Sequence, residues 1–160
     1  MRLFIAITFS DDFKKHLIEL KHQWRQMGVK ANFTLDENLH LTLCFIGETQ
    51  QSERIKNVLK KVEFPDFEIE ISKVQAFRDM LWLGIKKNNT LEQVAKDIRF
   101  ELDKAGIDYD RKAFKGHITL ARKVIGDVPK LQLPIAKMKV TKISLMKSTR
   151  ENGKLVYTEI

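Results

Sequence analysis

The sequence predicts an α+β fold: two lobes of antiparallel sheet with helices on their outer faces, related by an approximate two-fold. Period-two strands alternate along the chain with helices whose apolar residues recur every three or four positions. The order strand, helix, polar loop and histidine-bearing strand occurs twice. Leu3 and Leu81 are 78 residues apart, and His40 and His117 are 77 apart. Two copies are too few to stack as a solenoid. One domain over residues 1–160 is therefore expected, with pseudo-repeats at roughly 2–47 and 80–124.

The first strand is RLFIAITF (2–9). Ser10 then offers a helix cap, and Asp11 and Asp12 complement the positive end of the helix dipole. The helix that follows carries Phe13, Leu17, Leu20, Trp24 and Met27 on one stripe and stops at Gly28. A loop rich in Asn, Thr and Asp leads to NLHLTLCFIG (38–47). There Leu39, Leu41, Leu43 and Phe45 alternate with His40, Thr42 and Cys44, the pattern of a half-buried strand. Residues 49–61 read as a short helix and 67–77 as a strand.

MLWLGIKK (80–87) opens the second copy. Asn89 or Thr90 caps a helix with Leu91, Val94, Ala95, Ile98, Leu102 and Ala105 on its apolar stripe, and Gly106 ends it. The polar loop 107–116 leads to the strand HITLARKV. Residues 136–148 read as one further strand, and Arg150-Glu151-Asn152-Gly153 as a hairpin turn to KLVYTEI, Asn-Gly being the strongest short hairpin signal. Pro65, Pro129 and Pro134 fall at element edges.

A composition of 43% hydrophobic and 31% charged residues excludes a disordered chain. The 29 Lys and Arg against 21 Asp and Glu leave a net charge of +8, which suits an anionic partner such as RNA or a phosphate ester. A single cysteine, Cys44, excludes an internal disulfide and points to a reducing compartment. The apolar run Leu3–Phe9 is too short for a secretion signal and is followed by two aspartates; nothing approaches a membrane span. A cytoplasmic monomer with no membrane partner is expected.

With four histidines and nine threonines in the chain, chance alone gives about 0.2 His-x-Thr tripeptides. There are two, His40-Leu41-Thr42 and His117-Ile118-Thr119, each followed by Leu (Leu43, Leu120) and each in a strand pattern. Period two puts His and Thr on one face, about 6.5–7 Å apart, with Leu or Ile toward the core. Should the two strands face each other, two imidazoles and two hydroxyls converge. One neutral imidazole can take a proton from water while the other, protonated, supports a leaving oxygen. The hydroxyls can donate to phosphate oxygens as their charge grows. Arg122 adds a planar cation suited to phosphate. Strict alternation, however, puts Arg122 on the face opposite His117, so its use requires a twist or bulge. His16 and His22 lie on a helix among lysines and read as solvated.

Competing chemistries are less well supported. A zinc site needs a third ligand, and neither motif strand has an acidic residue or Cys at useful spacing. Cys44 is about 13 Å along the strand from His40, too far for a nucleophile pair, and reads as a buried structural thiol. Phosphate-binding glycine loops and the GxSxG elbow are absent from the sequence.

HLTL (40–43) and HITL (117–120), within the phrases RLFIAI, NLHLTLCFIGE, LWLGI, HITLAR and GKLVYTEI, resemble the two-histidine phosphoesterase superfamily. Within it the chain is most similar to the RNA 2′,3′-cyclic phosphodiesterases, once called 2′-5′ RNA ligases, over Arg2 to Ile160. The resemblance implies that both motifs line a central cleft. It implies hydrolysis of 2′,3′-cyclic phosphate RNA ends, or of cyclic nucleotides, to 2′-phosphates without metal or other cofactor. His40 would donate a proton to the leaving 3′-oxygen and His117 would activate water. Thr42 and Thr119 would hold the phosphate, with Arg122 assisting. The residues themselves leave donor and acceptor open, because the motifs are nearly symmetric. Reversible 2′-5′ joining in the same site and a noncatalytic module for RNA ends or nucleotides are the alternatives. Gly116 stands where family members often have Pro, which implies a looser approach to the second motif. Phe9, Trp82 and Phe114 are candidates to stack on a base, with core packing their expected fate.

Overall fold

The computed structural model describes residues 1–160. Strand β1 (Arg2–Thr8) leads into helix α1 (Asp11–Gln26), capped by the Ser10 hydroxyl, which accepts from the Phe13 amide at 3.3 Å. Phe13, Leu17, Leu20 and Trp24 are buried as the stripe predicts. Met27 is not: it lies beyond the last helical residue and is 51% exposed. The chain reverses there because Gly28 takes a φ of 84°, with Gly28 and Val29 donating to the Arg25 and Trp24 carbonyls. The Trp24 indole donates to the Pro129 carbonyl at 2.8 Å and so fastens α1 to the segment before the last strands.

The polar loop after α1 contains an unforeseen edge strand, β2 (Lys30–Phe33), then a single 3-10 turn at Asp36–Asn38. The signal of β2 is present in the sequence, where Val29, Ala31, Phe33 and Leu35 alternate with Lys30, Asn32 and Thr34, but the polar residues of the segment mask it as a loop. Next come β3 (His40–Glu48), α2 (Ser52–Lys60), β4 (Phe67–Phe77) and β5 (Met80–Ile85). Helix α3 (Asn89–Lys104) is capped by Asn88, not Asn89 or Thr90; the Asn88 side chain accepts from the Leu91 amide at 2.9 Å.

Strand β6 (His117–Ile125) follows the expected loop. A Cβ on Gly116, just before it, would lie 3.3 Å from Leu91 and 3.7 Å from Ile85, so a larger residue there would press on the Leu91 side chain. The run 136–148 is two strands, not one. β7 (Lys137–Val140) pairs with β4, and β8 (Ser144–Glu151) pairs with β1, so the chain changes sheets across residues 141–143. Asn152 and Gly153, at φ of 52° and 77°, turn β8 into β9 (Lys154–Glu159) as the Asn-Gly signal requires.

Two antiparallel sheets result, in the orders β3-β1-β8-β9 and β2-β6-β5-β4-β7. Read from the histidine strands, β3-β1-β8 and β6-β5-β4 occupy corresponding places. A core of 31 buried residues draws on both sheets and all three helices, and α3 lies against β3, β4 and α2. No helix is long and apolar enough to cross a membrane.

Candidate active site

β3 and β6 come from different sheets but lie beside each other, and a cavity of about 810 Å³ opens over them. His40, Thr42, His117, Thr119 and Arg122 all line it. The intervening residues of the two motifs, Leu41, Leu43, Ile118 and Leu120, are buried on the opposite face. A second cavity of about 610 Å³, lined by Trp24, Val74, Leu81 and Pro129, contains none of the predicted residues.

Alternation does not persist beyond the motifs. In β6, Leu81 of β5 faces Ala121 while the next residue, Trp82, faces Thr119, so Leu120 is the extra residue of a bulge. Leu120 and Ala121 are consequently both buried, and Arg122 turns to the same side as His117. The same event occurs in β3, where Ile5 faces Cys44 and Ala6 faces Thr42, leaving Leu43 as the extra residue. Leu43 and Cys44 are both buried there, and Phe45 turns to the cleft. Strict alternation, which puts Phe45 on the core face and Cys44 on the face of His40, is thus reversed at both residues, while the reading of Cys44 as a buried thiol holds. Burial pushes the Cys44 thiol up to about 12, so it stays protonated and inert.

Each imidazole is oriented by the same device. His40 Nδ1 lies 2.7 Å from the Asn38 carbonyl, and His117 Nδ1 lies 2.7 Å from the Lys115 carbonyl. A carbonyl only accepts, so both Nδ1 atoms carry hydrogen, which leaves Nε2 of each ring for chemistry; only that of His117 is without a protein partner. His40 Nε2 is 2.9 Å from the Thr42 hydroxyl. The rings differ in their aromatic neighbours. His40 meets Phe4 and Tyr157 at centroid distances of 5.0 and 5.1 Å, the latter edge-on. His117 is stacked flat on Trp82 at 3.8 Å, and Phe77 also stacks on Trp82, at 4.4 Å.

Both imidazoles are held below their ordinary value, chiefly because burial disfavours the charged ring. The carbonyl bonds oppose this, while the Arg122 charge adds to it in both cases. His40 also feels the charge of His117.

Of the candidate stacking residues, Phe9 is buried and Phe114 packs on the core, as expected, whereas Trp82 lies under His117. His16 and His22 are exposed on α1. Sequence reading missed Phe4, Tyr157, Arg150 and Lys112, which also line the cleft. Only the tertiary fold brings these together. Phe45 was detectable, because it occupies the place in the first motif that Arg122 occupies in the second, five residues past the histidine.

The sequence model of the 2′-5′ RNA ligase superfamily matches residues 11–152. A protein of Archaeoglobus fulgidus named RNA 2′,3′-cyclic phosphodiesterase is 35% identical over 130 residues, covering 76% of this chain and 72% of its own. One of the same name from Thermotoga maritima is 29% identical over 160 residues, covering 88% and 85%. Among solved structures, E. coli LigT in its apo form superimposes with a TM-score of 0.83 at 24% identity, covering 99% of this chain and 94% of that one. At that identity the likeness concerns the fold.

Proposed function

Since the chain belongs to the 2′-5′ RNA ligase superfamily, we propose that it is an RNA 2′,3′-cyclic phosphodiesterase in which His40 and His117 are the acid and the base. The observation that carries this reading is the pair of imidazoles, each pinned through Nδ1 to a carbonyl two residues back, in one cleft with Thr42, Thr119 and Arg122. Such a pair suits a reaction that needs one proton removed and another delivered.

In the proposed step His117 Nε2 takes a proton from water, whose oxygen attacks phosphorus. The bond to the 3′-oxygen breaks, and His40 Nε2–H protonates that oxygen. One P–O bond forms and one breaks, leaving a 2′-phosphate and a free 3′-hydroxyl; proton exchange with solvent resets the histidines. Thr42, Thr119 and Arg122 hold the nonbridging oxygens as charge accumulates. The environments support this division of labour. His40 is the more deeply enclosed ring, which makes its imidazolium the readier donor. The face of Trp82 favours a cation, and so favours the imidazolium that forms on His117. The two motif halves, 2–47 and 80–124, then act as one duplicated domain with the reaction centre at their junction.

The direct test is to incubate the protein with nucleoside 2′,3′-cyclic phosphates in EDTA and identify the products. Turnover to 2′-phosphates is expected; 3′-phosphates, or binding without turnover, would contradict the reading. A pH profile gives a separate expectation. Because burial lowers both imidazoles, kcat/KM should peak on the acid side of about 6.5. Above the peak it should fall about tenfold per pH unit as the acid loses its proton. Bound phosphate is anionic and stabilises imidazolium, so the alkaline limb of kcat should lie at higher pH than that of kcat/KM. An alkaline limb of kcat/KM well above neutrality would oppose the assignment.

A further inference from the structure

The cleft continues past the histidines. A side cavity of about 280 Å³ shares His40, Thr119, Arg122, Arg150 and Tyr157 with the main one, and adds Asn32, Phe33 and Lys123. The electrostatic character of the two differs. The main cavity is lined by two carboxylates, Glu48 and Asp110, whereas the side cavity has none. The main cavity sets four cations, Arg2, Lys112, Arg122 and Arg150, against those carboxylates, while the side cavity has three, Arg122, Lys123 and Arg150, with no counter-charge. Arg122 bonds only the Met80 sulfur and Arg150 only the Gly153 carbonyl, so neither is neutralised.

Lys123 is held in place by the backbone. It adopts a left-handed φ of 53°, unusual for a residue other than glycine. Here Lys30 pairs with Ile125 and Asn32 with Arg122, so Lys123 and Val124 together face the single residue Ala31. This second bulge in β6 directs Lys123 to the mouth of the side cavity.

A cyclic phosphate carries one negative charge, and Arg122 with the two threonines already answers it. Two further unpaired cations around a carboxylate-free cavity match another anion covalently linked to the first. We infer that the side cavity binds the phosphodiester immediately upstream of the cyclic end, with Lys123 as its distinctive contact, so that oligoribonucleotides are the favoured substrates. This rests on the phosphodiesterase reading above.

The test compares a nucleoside 2′,3′-cyclic phosphate with a cyclic-ended pentaribonucleotide of the same terminal base. Both are assayed over a range of salt with wild type, Lys123→Glu and Lys123→Arg. Lys123 is exposed, so folding is not at stake. Wild type should prefer the pentamer in kcat/KM by about tenfold, with a log–log salt slope steeper by about 0.7 for the added phosphate contact. Lys123→Glu should reduce the pentamer-to-mononucleotide ratio by about tenfold and abolish the extra slope, while Lys123→Arg preserves both. An unchanged ratio and slope in Lys123→Glu would overturn the inference. So would mononucleotide turnover in wild type with no pentamer preference, an outcome that leaves the phosphodiesterase reading standing. Failure to turn over either substrate would overturn both.

Discussion

Replacing His117 by Ala should lower kcat on a nucleoside 2′,3′-cyclic phosphate by about 10³, and His40→Ala by a similar factor, each about 4 kcal/mol of barrier. Each imidazole offers a single Nε2 to the cleft, that of His40 shared with the Thr42 hydroxyl, and no other imidazole lines it. The double variant should be little slower than the slower single one, because acid and base act in one step. The residual activities carry more information than the losses. The wild-type limbs belong to the coupled pair and cannot be assigned by themselves. Removing the acid should flatten the alkaline limb in His40→Ala, and removing the base should flatten the acid limb in His117→Ala. The reverse pattern would exchange the two roles. Loss of His117 also uncovers the face of Trp82, so melting curves should accompany the kinetics. A His117→Ala enzyme with near-wild-type turnover would remove the mechanism altogether.

That two nearly symmetric motifs lead to such different expectations shows where the sequence was informative. His40, Thr42, His117 and Thr119 lie in the first three positions of their strands, before either bulge, and there the period of two places them correctly. Beyond the bulges the periodicity misleads. It sets Arg122 on the wrong face and exchanges Phe45 with Cys44, because a bulge is set by how a strand meets its neighbour and leaves little mark on composition. The split of 136–148 into β7 and β8 escaped notice for a related reason. Met138, Val140, Ile143, Leu145 and Met146 keep an apolar rhythm although the strand partner changes. Trp82 and Tyr157 are aromatic residues in strand patterns, and only the fold decides that they meet the histidines rather than the core.

Lys21 is the most consequential residue that reading the helix alone cannot interpret. It belongs to α1, yet its side chain is 1% exposed, and its ammonium donates to the Thr34 carbonyl at 2.5 Å and to Asp36 Oδ1 at 2.6 Å. Both partners lead to the motifs. The Thr34 hydroxyl donates to the Thr119 carbonyl at 2.8 Å, and its amide to the Leu120 carbonyl at 2.9 Å, beside the bulge that turns Arg122. Asp36 opens the 3-10 turn that ends at Asn38, whose carbonyl orients His40. A buried charge is tolerated only while it is compensated, and the two ends of this pair are not equivalent. Asp36→Ala leaves a buried ammonium without its counter-charge, at a cost of about 3 kcal/mol. Lys21→Met fills the same space with an apolar chain and leaves a carboxylate that is already 53% exposed and free to face water. Its main loss is the donor to the Thr34 carbonyl, about 1–2 kcal/mol. Asp36→Ala should therefore depress Tm by about 6–12 °C, Lys21→Met by roughly half of that or less, and the double variant by less than the sum. Thermal and urea melts at neutral pH would check the order. If Lys21→Met proved the more damaging, the ammonium would be acting through its bond to Thr34, and the registry of β6 would depend on that bond more than on the charge pair.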